Sequence, residues 1–380
     1  LAANLELVRH FTGWQPGDAA SSWLPLHQGF LFVGLLLTTV ALQGDLYLMR
    51  PDQFIRDPLR WLRSLQHAHH TAAPPFALAY TARRVAAEQA DDLDLSGLRS
   101  IAIGAETVRP RPLAAFIELA TRAGMPSGVC QPGYGLAEAT LIVSARRNGE
   151  EPAALRVDPA SLRMGAPVTV LEQGTLGEHG AARSPGWLIG SGRPAGDTAV
   201  QIVGEDRSPV ADGVLGEVLV TGPTVALGYA MGDDPDDPVF SGGSLATGDA
   251  GFVHDGELFV LGRIGTSVKV RGRSVFVEEL DLHVAHATGL SLGQLATVAG
   301  ERADEPAVAL FVEAEPSDWV PAVRAALRTA LGPGARIDLV CGDRGLIQRT
   351  SSGKPRRRAM WAMLQDGLPA GARIVEDDHA

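Results

Sequence analysis

The chain holds only two cysteines in 380 residues, Cys130 and Cys341, too few and too far apart for a disulfide framework. That scarcity favours a reducing compartment, so a cytoplasmic location is expected. A bilayer-spanning run is also lacking. The most apolar stretch, Phe30 to Leu42, falls short of the roughly 20 residues a spanning helix needs, and Gln43 and Asp45 close it. No basic leader precedes it, so membrane insertion is not expected. Basic residues are in deficit, 33 Lys and Arg against 44 Asp and Glu. The resulting net charge of −11 repels nucleic acid and anionic membrane unless a strong local patch intervenes. Internal repeats and low-complexity tracts are missing too. The chain opens on Leu1 rather than Met, and the expectation is that it begins inside a longer protein.

What is present is the composition of a packed protein, 45% hydrophobic and 20% charged. The length exceeds one hydrophobic core, so two or more domains are expected. Helical patterns over Leu1–Thr12, Phe30–Leu42, Pro51–His70, Ala77–Gln89 and Arg111–Ala123 alternate with short strands at Ser22–Leu26, Asp45–Met49 and Ser100–Ile103. That alternation predicts an α/β fold with a layered, mostly parallel sheet. After about Ser144 glycine and proline become dense. Strands at Ala199–Val203, Gly216–Val220 and Leu258–Val260 predict a small β-rich, barrel-like subdomain. A third region follows Arg263, with strands at Val268–Val270, Ala307–Glu313 and Arg336–Val340. Its helix, Asp318–Leu331, has Ser317 as expected N-cap and Gly332 as its stop.

The stretch Thr247–Glu279 organises the chain. Asp249 behind Gly248 reads as an acid on a glycine turn, suited to accept two hydrogen bonds from a ribose diol. Arg263, ending the next strand, can lie along a phosphate. Upstream, QPGYGLAEAT (Gln131–Thr140) sets Tyr134 in a glycine-flanked turn with Glu138 four residues on. The ring can stack on a base and the carboxylate can reach a divalent metal, although an ordinary turn with a surface glutamate has the same letters. Near the C-terminus, RTSSGKPRRR (Arg349–Arg358) puts Lys354 on a Ser-Gly turn, where it reads as a point charge for a carboxylate or phosphate, or as part of a solvated basic run. Three other patterns carry less. Gly289–Gly293 matches a hydrolase nucleophile elbow around Ser291, but helix rather than strand is predicted before it. His67, His69 and His70 have no ligand partners at zinc-like spacing. No capped helix opens after the glycines of Gly186–Gly192, as a dinucleotide fingerprint would require.

In order, YGLAEAT, GEVLVTGPTVALGY (Gly216–Tyr229), TGDAGF, GR followed by VKVRGR, and TSSGK resemble the adenylate-forming superfamily, and Ala137-Glu138 most resembles its fatty acyl-AMP ligase branch. SWLPL, PLRWL, GAETV, RVDPASL and GRPAGDTAVQIV support the likeness across essentially the whole chain. The resemblance implies a truncated α/β part over 1–160, a β-rich subdomain over 161–262 and a smaller mobile α+β lid over 263–380. It implies ATP and Mg²⁺, with activation of a carboxylic acid as acyl-adenylate and transfer to the phosphopantetheine thiol of an acyl carrier protein. Coenzyme A or amino-acid-activating relatives, and a weak or non-catalytic nucleotide-binding relative, are alternatives. By position, Gly104, Ala105, Glu106, Tyr134, Gly135 and Ala137 would contact the nucleotide, Asp249 and Arg263 its ribose, Glu138 the metal, and Lys354 the reacting groups. Trp23, His27, Phe76 and Ala105 would line the acid pocket, and Gly265 and Thr266 would form the hinge. Lys269, Arg271 and Arg273 would offer a basic rim to the carrier. Three departures stand out: the family's phosphate loop would lie before Leu1, His27-Gln28-Gly29 replaces a Tyr-His-Asp run, and Thr266 replaces the usual Asp or Lys.

Overall fold

Side chains pack on both faces of the first sheet, and this follows from its parallel pairing. The computed structural model describes residues 1–176, 186–229, 239–241, 243–264, 267–270, 273–302, 305–332, 336–350, 353–369 and 371–375. The chain divides into two compact units, Leu1–Ser161 with Gly165–Leu261, and Leu162–Met164 with Gly262–Ala380.

Strands of the first unit run in chain order: β1 Ala20–Ser22, β2 Leu46–Leu48, β3 His70–Ala73, β4 Ser100–Ile103, β5 Cys130–Gly135, β6 Ile142–Ala145, β7 Ala153–Val157, β8 Val170–Thr175, β9 Trp187–Ile189, β10 Arg193–Pro194, β11 Ala199–Val203, β12 Gly216–Thr221, β13 Phe240–Ser241, β14 Ser244–His254 and β15 Glu257–Arg263. A mixed sheet of seven strands takes the order β10-β6-β5-β4-β3-β1-β2. From β2 to β5 every pairing is parallel, while β6 and β10 join antiparallel. Helices flank the parallel strands, so β1 and β3 are buried at every position. The core there includes Trp14, Phe54, Trp61 and Phe116, stacked or edge-on around Leu31, Leu62 and Leu65.

Two antiparallel sheets complete the unit, β8-β7-β9 and β11-β12-β14-β13 with β15 on β14. The expected barrel-like subdomain is thus a pair of small open sheets. Alternation along β12 (buried at Gly216, Val218 and Val220) gives the second its one-sided core.

Several expected boundaries move for physical reasons. The strand at Ser22–Leu26 lies at Ala20–Ser22, because a strand buried on both faces shows no alternation to locate it. The predicted helix Pro51–His70 is two helices, Pro51–Arg56 and Pro58–Leu65, since Pro58 holds Asp57 out of helical geometry at ψ 86. His70 belongs instead to β3, which the sequence reading missed.

In the second unit, β16 Ser267–Val270 and β17 Arg273–Phe276 form a hairpin, and β18 Leu295–Arg302, β19 Glu305–Val312, β20 Arg336–Cys341 and β21 Arg373–Ile374 form a sheet in that order. One face of the sheet packs Val308, Leu310 and Val312 against the helices Val277–Thr288 and Trp319–Leu331. The other packs Ala309 and Phe311 against Met360 and Leu364 of the helix Arg357–Asp366. Asp318, not Ser317, takes the N-cap position of the middle helix, and Gly332 stops it at φ 87.

Candidate active site

In a parallel sheet the strand ends that face the helix N-termini gather binding groups, and the motif residues of the first unit collect there. Trp23 follows β1, Phe76 follows β3, and Gly104 and Ala105 follow β4. The Trp23 ring meets Phe76 edge-on at 6.0 Å and stacks on Phe54 at 4.0 Å and 7°, so two of the expected acid-pocket residues do come together. His27 lies past them and is exposed. A Cβ on Gly104 would stand 3.2 Å from the Gly133 carbonyl and 3.8 Å from the Phe30 ring, which makes glycine the fitting residue where β4 and β5 end. Ala105 next to it is held at φ 68, a left-handed conformation that costs an L-residue on the order of 1 kcal/mol and that clusters at functional sites. Ala105 and Glu106 are both exposed.

One strand away, β5 slips register between Tyr134 and Gly135. A Cβ on Gly135 would fall 1.8 Å from the Leu141 carbonyl, so no side chain fits. The chain then makes a single 3-10 turn, Ala137–Ala139, and reverses through Thr140 at φ 70. This lifts Glu138, half-buried, to accept a hydrogen bond from the Tyr229 hydroxyl at 3.0 Å, while its carbonyl accepts from the Ala226 amide at 2.8 Å. The Thr140 hydroxyl donates to the Thr224 carbonyl at 2.8 Å, and the buried Thr224 hydroxyl has no hydrogen-bond partner among the described residues. Asn4, fully buried, clamps the turn from below. It donates to the carbonyls of Ala139 (3.2 Å) and Ile142 (3.0 Å) and accepts from the Ile142 amide (3.2 Å). Its separation of more than a hundred residues from the turn left no signal in the sequence.

Asp249 sits in the middle of β14, not on a free turn. Gly248, at φ 69, forms a bulge where Glu217 and Leu219 of β12 face Ala250 and Ala246. The bulge turns Asp249 inward to 7% exposure, where the Tyr134 hydroxyl donates to its Oδ2 at 2.6 Å. The loop is tied down by the Gly248 amide donating to Glu217 Oε1 (2.9 Å), the Asp249 amide to Thr247 Oγ1 (3.1 Å), and Thr247 Oγ1 to the Val218 carbonyl (2.7 Å). Tyr134 and Asp249, more than a hundred residues apart, are thus hydrogen-bonded to each other, as are Glu138 and Tyr229.

The remaining expected site residues belong to the second unit. Arg263 ends β15 and is exposed. Lys354 is exposed on a tight turn, its amide donating to Thr350 Oγ1 at 3.1 Å and its carbonyl accepting from the Thr350 amide at 2.8 Å. Gly265, Thr266 and Arg271 lie outside the described residues. Ser291 follows the helix Val277–Thr288 and its Gly289 cap at φ 74, so the strand that a nucleophile elbow needs is absent at that point.

Of the three histidines, His70 is structural and His67 is exposed. His70, fully buried and stacked on Trp14 at 4.3 Å, bridges Ser100 Oγ (2.7 Å) and Asp18 Oδ2 (3.0 Å), while Arg99 Nη1 donates to both Asp18 oxygens at 2.8 and 2.9 Å. Among the described residues no group of three or more His, Cys, Asp or Glu could hold a metal. Hollows of about 400 Å³ beside His69 and Arg99, and about 620 Å³ beside Arg63 and His67, open at the opposite strand ends and include none of the motif residues. Both cysteines are buried thiols, Cys130 pushed up to about 12 and Cys341 to about 11 by burial, so neither is a nucleophile at neutral pH. No helix among the described residues is long and apolar enough to cross a membrane.

Comparison with known proteins gives the same neighbourhood a family. A medium-chain-fatty-acid–[acyl-carrier-protein] ligase of Moorena producens is 30% identical over 380 aligned residues, covering 95% of this chain and 63% of that protein. A long-chain-fatty-acid–AMP ligase of Mycobacterium tuberculosis is 31% identical, over 90% of this chain and 61% of its own length. The chain thus spans about three fifths of these curated relatives. A structure from studies of fatty acyl-adenylate ligases of E. coli and L. pneumophila superposes with a TM-score of 0.81 at 30% identity, over 96% of this chain and 66% of that one. The model of the AMP-binding enzyme family matches residues 1–230, a stretch that holds Trp23, Phe76, Gly104, Tyr134, Glu138 and Tyr229, and the chain belongs to that family.

Proposed function

We propose that this chain carries the acid-activating centre of an ATP-dependent ligase, which joins a carboxylic acid to AMP and passes the acyl group to the phosphopantetheine thiol of an acyl carrier protein. The observation that carries the reading is the hydrogen bonding of Tyr134 to Asp249 and of Tyr229 to Glu138, with the strained Ala105 just past the end of the neighbouring strand β4. In the first half-reaction the acid carboxylate attacks the α-phosphorus of ATP and pyrophosphate leaves. Both reactants are anions, so positioning and cationic neutralisation supply most of the acceleration.

Tyr134 presents a ring face to adenine while its hydroxyl is engaged by Asp249, whose carboxylate is thereby oriented toward the ribose hydroxyls. Gly104, Ala105, Glu106, Gly135 and Ala137 supply backbone close to the nucleotide. Glu138 is one hard oxygen donor beside an exposed turn, which fits Mg²⁺, an ion usually held by one or two carboxylates together with substrate phosphates and water. Bound there, Mg²⁺ would neutralise phosphate charge. Lys354 is the point charge assigned to the acid carboxylate and α-phosphate.

One relative is named for a carrier-protein acceptor, and a putative fatty-acid–CoA ligase of Mycobacterium tuberculosis at 31% identity keeps coenzyme A as a second acceptor. Pyrophosphate release by the full-length protein, measured over a panel of carboxylic acids and then with either thiol, tests both steps. Nucleotide binding without acyl-adenylate formation for any acid would overturn the reading and favour a non-catalytic relative. Within it, Tyr134→Phe is expected to lower kcat/KM for ATP about 10-fold, the loss of one hydrogen bond to a carboxylate. An unchanged value would remove Tyr134 from the ribose-orienting role.

A further inference from the structure

The turn that carries Lys354 is held from both sides by arginines, and each reaches a different element of the second unit. Upstream, Arg349 Nη1 donates to the Gly353 carbonyl at 2.9 Å, inside the turn, and Nη2 donates to the Gly293 carbonyl at 2.8 Å. Gly293 closes the Gly289–Gly293 segment, which is itself hydrogen-bonded: the Ser291 hydroxyl donates to Gln294 Oε1 at 2.8 Å and the Gln294 backbone amide to the Ser291 carbonyl at 2.9 Å. Downstream, Arg357 opens the helix Arg357–Asp366 and spreads its guanidinium over three acceptors. These are the Thr297 carbonyl (Nε, 3.0 Å), Asp281 Oδ2 (Nη2, 2.6 Å) and Glu278 Oε1 (Nη1, 3.2 Å). Asp281 also accepts from the Thr297 amide at 2.5 Å, so one carboxylate joins the helix Val277–Thr288 to β18 and to Arg357. Arg357 and Asp281 side chains are only 16% and 9% exposed.

Between the two braces the turn closes on itself through the Gly353 amide and Thr350 carbonyl at 2.9 Å, with Gly353 at φ 86. Gln348 and Arg356 are joined by a backbone hydrogen bond at 2.8 Å, which brings the two strands of the turn side by side. A lysine on a flexible four-carbon stem is a poor positional element unless its backbone is fixed. Here a planar fork on each flank does the fixing, and neither fork could be replaced by an ammonium without losing acceptors.

We infer that Arg349 and Arg357 are positioning residues for Lys354, setting the turn on the helix and strand that frame the second unit. The inference rests on the proposed role of Lys354, and it absorbs the Gly289–Gly293 motif as the anchor of one brace. The network also reaches the chain just before Arg263. A Cβ on Gly262 would stand 3.3 Å from Glu278 Oε2, an oxygen that is buried and has no hydrogen-bond partner among the described residues.

Arg349→Ala and Arg357→Lys in the full-length protein test it by two readouts. Amide hydrogen exchange at Gly353 and Lys354 should quicken about 10-fold or more, with the amides of β19 and β20 unchanged. The kcat for pyrophosphate release should fall about 10- to 30-fold at constant KM for ATP, while transfer from preformed acyl-adenylate to the thiol stays at the wild-type rate. The inference is overturned if exchange at the turn is unaltered, if kcat holds while exchange quickens, or if transfer falls in step with adenylation, which is what general damage to the unit would give. If Lys354→Ala itself adenylates at full rate, it is the catalytic reading that fails, and the exchange rates still decide whether the arginines brace the turn.

Discussion

Lys354→Ala is expected to slow acyl-adenylate formation about 100- to 1,000-fold, the usual cost of removing one preorganised charge from the place where negative charge must be brought together. The loss should appear in kcat rather than in KM for ATP, because a group aimed at the reacting oxygens contributes most in the transition state. The fold should not suffer. The Lys354 side chain is exposed, and the hydrogen bonds that shape its turn use its amide and carbonyl, which alanine retains. Lys354→Arg should restore little, since a planar fork carries its charge in a different place from a compact ammonium. Single-turnover acyl-adenylate formation, detected by mass, checks the expectation. Retention of the full rate by Lys354→Ala would remove the residue from the chemistry.

The sequence made the motif order legible because each motif is a local device whose letters survive in one dimension. Gly135 is glycine because the Leu141 carbonyl occupies its Cβ position, and Gly289 and Gly332 stop helices at positive φ. Strands Ser100–Ile103 and Ala199–Val203 fell where their apolar letters indicated. Three kinds of feature escaped. Strand β3, buried at all four positions and spelled His-Thr-Ala-Ala, offers neither alternation nor large apolar side chains. Asp249 was read on a turn because Gly248 precedes it, whereas the glycine serves a bulge inside a long strand, and only the partner strand reveals a bulge. Asn4, Asp18 and Arg357 hold other segments through contacts at long sequence separation, and nothing next to them in the chain marks them. The basic run Arg349–Arg358 reads as one patch, yet Arg357 is half-buried in an ion-pair network while Arg356 and Arg358 are exposed.

Arg99, His70 and Asp18 lead to the second large effect, a loss of stability of the first unit on acidification. Burial lowers the His70 pKa from 6.5 to about 4, against the opposing pull of the Asp18 carboxylate. The neutral ring can donate from Nε2 to Asp18 and accept at Nδ1 from the Ser100 hydroxyl, so both nitrogens are satisfied without a charge. Because the folded pKa lies below the unfolded one, stability is complete above about 6.5 and is lost as pH falls toward 4. By linkage that loss is about 3 kcal/mol. Asp18 acts in the same direction at lower pH: desolvation raises its pKa, but the His70, Gln15 and Arg99 contacts leave it lowered overall, so its contribution fades only as pH falls below the ordinary carboxylate range. In the second unit the sign reverses. Burial pushes Asp281 up to about 6 despite Arg357 and the Thr297 amide, so its contribution falls as pH rises from about 4 to 6. A single melting curve would mix the two trends, so the measurement must be local. Amide exchange across β1, β3 and β4 should lose protection between pH 6.5 and 4.5, and His70→Asn should flatten that dependence while lowering protection at pH 7. Equal pH slopes in wild type and variant would show that His70 is not the titrating group.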